Sequence, residues 1–125
     1  MASIKLYEKN GDAKAQQIQA NLEKHFGKLP NVFKAMGRNG DFLEAMLKLS
    51  ESAGKGLDAK TKELIIIAVS AVNGCVYCLD AHRSAALAAG VTDDEITAAI
   101  EVAAAISAFN NFNKGIDLES DLKSK

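Results

Sequence analysis

The ten residues from Asn73 to His82, NGCVYCLDAH, hold both cysteines of a 125-residue chain and one of its two histidines. Two thiols three positions apart can cycle between dithiol and disulfide, or offer two ligands to a metal. A histidine beside them supplies the side chain best suited to moving a proton near neutral pH. With Cys75 at zero on a helical wheel, Cys78 falls at about −60° and His82 at about −20°. They share that arc with Leu79, Ala86 and Ala89, a face expected to pack inward, while Asp80 and Arg83 point elsewhere. Cys78 and His82 are one turn apart. Cys75 and Cys78, at i,i+3, have α-carbons about 5 to 6 Å apart, a separation that admits a disulfide. The pair follows Asn73-Gly74 and therefore opens a helix, where free amides and the dipole favour a thiolate.

An inward-facing histidine needs a partner, and the preceding helix offers Glu63. If the helices on either side of Asn73-Gly74 form an antiparallel hairpin, residues equally distant from the turn meet. His82 lies eight residues after Gly74 and Glu63 ten before Asn73. At 1.5 Å per residue those offsets differ by roughly 3 Å, close enough for contact directly or through one water. Glu63 is the only acid in ELIIIAVSAV, and Ile66, Ile67 and Ser70 share its face, which places Ser70 beside the cysteines. The expected relay has Glu63 orienting His82 and His82 taking the proton of Cys78.

The remainder of the chain must position these groups. Hydrophobic residues make up 48% and charged ones 25%, ordinary values for a soluble globular protein, and the length suits a single domain. With 15 basic and 16 acidic side chains spread along it, the sequence shows no basic stripe for nucleic acid and no acidic tail. MASIKLYEKNGDAKAQQ lacks the apolar region of a secretory signal, and the longest apolar run, Leu64 to Val69, is too short to cross a bilayer. A cytoplasmic protein is expected. In that compartment a Cys-X-X-Cys pair reads as redox or metal chemistry before it reads as a structural staple.

Helix punctuation recurs throughout, and the alternation of strands is nearly absent, so an all-α fold is expected. Gly11-Asp12 can start a helix that ends near His25-Phe26 before Gly27, and Pro30 can open a short one stopped near Gly37 or Gly40. Asp41 can cap FLEAMLKLSESA, and Asp58 can cap AKTKELIIIAVSAV, which ends at Asn73-Gly74. A helix from about Cys75 to Ala89 stops at Gly90, and Thr92-Asp93-Asp94-Glu95 forms a capping box for TAAIEVAAAISAF. The polar tail after Gly115 is expected to be a frayed or docked last turn. The β-branched LIIIAV has no second run to pair with and lies in a long stretch between two caps. Helix is therefore favoured over strand, buried on most sides. So much apolar, Ala-rich surface points to a homo-oligomer.

Glu63, eleven residues, Cys75-Val76-Tyr77-Cys78, three more and His82 match the E-x11-C-x-x-C-x3-H motif of alkylhydroperoxidase D-like proteins. These belong to the carboxymuconolactone decarboxylase superfamily of all-helical oligomers. The chain resembles them from about Leu22 through Lys114, including FGKLPNVFKAM and AVSAVNGC. The resemblance implies one AhpD-like domain spanning residues 1–125, with a helix hairpin carrying the dithiol and no bound cofactor. It implies a trimer or hexamer acting as a thiol peroxidase or disulfide reductase, with a peroxide as substrate and a dithiol reductant such as a lipoyl-bearing protein. By position, Cys78 would be the peroxide-attacking thiolate, Cys75 the resolving thiol, and Glu63 with His82 the proton relay. In the best-known member a histidine with a role in proton transfer precedes the second cysteine; here Tyr77 stands there, a departure in one arm of the relay. The family's decarboxylases lack the cysteine pair, so CVYC argues against their chemistry.

Two cues compete for the nucleophile. The helix N-terminus favours Cys75, and the base one turn on favours Cys78. A specific acid–base pair usually outweighs a dipole interaction of about 0.3 to 1 kcal/mol, which selects Cys78. The alternatives are a zinc site using Cys75, Cys78, His82 and Glu63, a redox sensor or adaptor that turns over little peroxide, and a pair of buried structural thiols. Haem attachment fails because Leu79, not histidine, follows the second cysteine. His25 reads as a favourable charge at a helix C-terminus, Tyr77 as a packing residue, and Phe26, Phe33, Phe42, Phe109 and Phe112 as core or subunit interface.

Overall fold

The computed structural model describes residues 4–122, so the last three residues of the polar tail and the first three of the chain lie outside it. Six α-helices, and no strands among the described residues, fall into two compact units, one up to Lys55 and one from Gly56 on.

The first unit holds α1 (Ala13–Phe26), α2 (Asn31–Ala35) and α3 (Gly40–Ser52). One carboxylate organises it. Asp12 caps α1 by accepting the Ala15 N–H at 2.8 Å, and its second oxygen takes the Gly40 N–H at 3.0 Å. The start of α3 is thereby drawn onto the start of α1, so closely that a Cβ on Gly40 would lie 2.6 Å from the Ala15 nitrogen. The α1 helix ends as expected at Gly27, and Pro30 opens α2. The cap of α3 is Asn39 rather than Asp41: its side-chain oxygen accepts from the amides of Asp41 and Phe42, at 3.1 and 3.2 Å. Asp41 falls inside the first turn, where it pairs with Lys14 at 2.8 Å. Gln19, fully buried on α1, ties down the segment ahead of it. Its Nε2 donates to the carbonyls of Tyr7 (2.7 Å) and Phe33 (2.9 Å), and its Oε1 accepts from the Lys9 amide (2.8 Å).

The second unit is built from α4 (Ala59–Asn73), α5 (Val76–Ala88) and α6 (Asp93–Gly115). Asp58 caps α4 through the Thr61 amide at 2.7 Å. Thr92 and Glu95 form the expected capping box at the head of α6. That last helix runs on beyond TAAIEVAAAISAF to Gly115, and Asp117 closes it in the left-handed conformation with φ 52°. Ile67, Ala86, Val91 and Ile96 form the core of this unit, with Leu64 and Leu79 packed on it.

LIIIAV is helical, but within the chain it is buried on one side only. Ile67 is enclosed, whereas Ile65, Val69 and Val72, spaced i, i+4, i+7, are about half exposed. The α6 helix repeats this with an exposed stripe of Val102, Ile106, Phe109 and Phe112. None of the five phenylalanines is buried in the single chain. Among the described residues no helix is long and apolar enough to cross a membrane.

Candidate active site

The α4 and α5 helices are joined by two residues, Gly74 and Cys75. Gly74 adopts φ 72°, a left-handed conformation that a side chain disfavours. Its N–H reaches the Ala71 carbonyl at 3.3 Å and the next N–H, from Cys75, reaches the Ser70 carbonyl at 3.0 Å. This paired closure of a helix end turns the chain back on itself and fixes the Cys75 backbone. Cys75 then serves the following helix as its N-cap: its Sγ accepts the Cys78 N–H at 3.2 Å and its carbonyl accepts from Leu79 at 3.0 Å. One cysteine thus ends one helix and begins the next.

Cys75 and Cys78 are joined by a disulfide, with α-carbons 5.3 Å apart. Cys75, Cys78, Leu79, His82 and Ala89 are partly buried and Ala86 fully so, whereas Asp80 and Arg83 are exposed, as the wheel requires. No charged residue lies between Asn73 and Leu79, and Val76 and Tyr77, between the sulfurs in sequence, are exposed. The Arg83 guanidinium is held by Asp93 at 2.8 Å, at the head of α6.

The hairpin register brings the expected acid and base together. His82 Nδ1 and Glu63 Oε2 are 2.8 Å apart, a direct bond with no intervening water. That commitment of Nδ1 leaves Nε2 as the ring nitrogen able to exchange a proton with a thiol. Ser70 is buried, and its backbone carbonyl ties it to the cysteine turn. The N-cap role of Cys75 and the closure through Ser70 are the positioning features that residue spacing alone does not reveal; the Asn73-Gly74 signal ahead of the first cysteine is their only trace in the sequence. Among the described residues no group of three or more His, Cys, Asp and Glu side chains is arranged to hold a metal ion.

Comparison with known proteins places this geometry in a family. The family model described as carboxymuconolactone decarboxylase matches residues 40–118. The alkyl hydroperoxide reductase AhpD of Rhodopseudomonas palustris (strain BisB18) is 40% identical over 76 residues, which covers 59% of this chain and 42% of that protein. Its namesake from Maricaulis maris (strain MCS10) is 35% identical over 78 residues, 61% of this chain and 45% of that one. The chain therefore spans less than half the length of these curated relatives. The crystal structure of the alkylhydroperoxidase AhpD core from Rhodospirillum rubrum ATCC 11170 superposes with a TM-score of 0.78 at 22% identity, covering 97% of this chain and 95% of that one. The fold is thus that of an AhpD core, and with the family match extending over more than half its residues, the chain belongs to the carboxymuconolactone decarboxylase family.

Proposed function

We propose that the chain is a thiol-dependent oxidoreductase that reduces a peroxide, or exchanges a disulfide, through Cys75 and Cys78. The observation that carries this reading is the 2.8 Å bond from Glu63 to His82 on the same hairpin that closes the Cys75–Cys78 disulfide. A structural thiol pair has no need of an oriented base one turn away. The curated relatives named as alkyl hydroperoxide reductases support the substrate class.

In the proposed cycle Cys78 gives its proton to His82 and attacks the distal oxygen of ROOH. The O–O bond breaks, ROH leaves, and Cys78 becomes a sulfenic acid. Cys75 condenses with it, water leaves, and the disulfide forms. An external dithiol, such as that of a lipoyl-bearing protein, supplies two electrons to reopen the bridge. Glu63 holds the His82 ring through Nδ1 throughout. The chain acts as one cytoplasmic family domain within a homo-oligomer, trimer or hexamer, and the exposed stripes on α4 and α6 are the surfaces that such assembly would cover.

The test is peroxide consumption with dithiothreitol as reductant, using cumene hydroperoxide. Wild type is expected to turn over, while Cys78→Ser is inactive and Cys75→Ser forms no intramolecular disulfide and turns over only as dithiothreitol itself reduces the Cys78 sulfenic acid. Turnover that survives Cys78→Ser would overturn the assignment.

A further inference from the structure

The hairpin gives its two sulfurs different surroundings. Cys75 stands at the N-cap position of α5, with extended backbone (φ −88°, ψ 91°), and its Sγ faces the Cys78 amide at 3.2 Å. The backbone that carries this sulfur is fixed, its N–H to the Ser70 carbonyl and its carbonyl to the Leu79 N–H, both at 3.0 Å, so the amide stays within reach of the side chain. Cys78 is the third residue of the helix and the donor in that bond, not its acceptor. An amide aimed at a sulfur stabilises the anion more than the thiol, and the helix dipole adds to it. The counter-argument is His82, whose positive charge would favour a Cys78 thiolate. That charge, however, is paired with the Glu63 carboxylate at 2.8 Å, so a protonated His82 and Glu63 together are formally neutral. Glu63 from α4 and His82 from α5 face each other across this hairpin, with the partly buried Lys62 next to Glu63 on α4 and the exposed Tyr77 on α5. Where α6 meets the end of α4, at Ala71 and Val72, it contributes Ile100, Ala103, Ala104 and Ser107, none of which titrates.

We propose that in the reduced chain Cys75 holds the resting negative charge, and that Cys75 is the sulfur released when the disulfide is opened. The inference rests on the dithiol cycle proposed above and assigns its two sulfurs. In reduction, a thiolate of the external dithiol attacks Cys78 Sγ. A bond forms to Cys78, the Cys75–Cys78 bond breaks, and the electron pair leaves on Cys75, where the Cys78 amide receives it. The lower-pKa sulfur is the faster leaving group. The second thiol of the reductant then gives its proton to His82 as it displaces Cys78, Cys78 takes that proton, and the reductant departs as its own disulfide. In oxidation, Cys78 still attacks the peroxide. It needs His82 because its proton is the second to leave, from beside a charge already present. The proton held by His82 goes to the departing alkoxide. The waiting Cys75 thiolate then displaces hydroxide from the sulfenic acid, and a proton from solvent, equal to the one released when Cys75 ionised, completes water. The two competing cues for the nucleophile are thereby divided between two steps.

The experiment is alkylation of the fully reduced wild-type chain by a brief pulse of iodoacetamide across a pH series, with each cysteine quantified by peptide mass spectrometry. The labelling midpoint of Cys75 is expected below that of Cys78, by roughly 0.2 to 0.7 pH units from the amide and dipole alone. Equal midpoints, or a lower one for Cys78, would overturn the assignment. A second measurement exposes the oxidised chain briefly to 2-mercaptoethanol and quenches with acid. The adduct is expected on Cys78; an adduct mainly on Cys75 would overturn it. Neither measurement uses peroxide, so a chain that consumes no peroxide can still satisfy both, and an active one can fail them.

Discussion

Replacing Glu63 with glutamine keeps the size and a hydrogen-bonding atom at His82 but removes the carboxylate charge. The contact is 2.8 Å long, with the Glu63 side chain 18% and the His82 side chain 36% exposed. Hydrogen bonds to charged groups contribute about 1.5 to 3 kcal/mol, and solvent at the more exposed histidine selects the lower end of that range. If the full bond supports the transition state in which His82 accepts the Cys78 proton, losing about 1.5 kcal/mol slows that step roughly twelvefold. The assay is the pseudo-first-order loss of thiols in pre-reduced protein with excess cumene hydroperoxide. Circular dichroism and the melting temperature report on fold. His82→Ala, which removes the base itself, is expected to lose roughly a hundredfold or more. A Glu63→Gln variant that is folded as wild type and oxidises at the wild-type rate would refute the relay.

Three further outcomes follow from the fold. Gln19→Leu removes three hydrogen bonds from a fully buried side chain and strands the Tyr7, Lys9 and Phe33 backbone groups; urea unfolding is expected to show a loss of about 2 to 3 kcal/mol, and a loss under about 0.5 would mean the segment ahead of α1 is not held there. Gly74→Ala meets no atom within 4 Å, so its effect is conformational strain at φ 72°; a loss of about 1 to 2 kcal/mol is expected in the same assay, and Gly74→Asn should lose less. Acid should destabilise the chain in a defined sense. Backbone amides of Gly40 and Ala15 hold the Asp12 carboxyl below its ordinary range, the Thr61 amide does so for Asp58, and the Thr92 amide for Glu95. Carboxyls depressed in the folded chain contribute stability that is present above their unfolded values, near 4, and is lost as pH falls through the folded ones. Melting temperatures should therefore drop below about pH 4, and less steeply in Asp12→Asn.

Local chemistry explains why so much of the fold is legible in the sequence. Asp12, Asp58 and Thr92 announce their helices because each side chain satisfies amides within three residues, a bond that spacing alone specifies. Asn39 and Asp41 are both competent caps two residues apart, and the choice between them was settled by the Asp12 carboxylate taking the Gly40 amide, a contact across 28 residues. Gln19 left no signal for the same reason: its partners are backbone groups 10 to 14 positions away. The Glu63–His82 register was readable because a two-residue turn leaves little freedom in how two helices pair. Burial was not, since Ile65, Val69 and Val72 are as apolar as Ile67, and hydrophobicity does not say whether a residue is covered by its own chain or by another.

The central claim is that Cys75 and Cys78 form a peroxide-driven redox pair. Its most direct test is a free-thiol titration of the purified, reduced chain before and after one equivalent of cumene hydroperoxide, with zinc assayed on the same sample. Loss of both thiols per peroxide, fully recovered with a dithiol, is the predicted result. Thiols that stay unreactive beside stoichiometric zinc would contradict it and leave a structural metal site in its place.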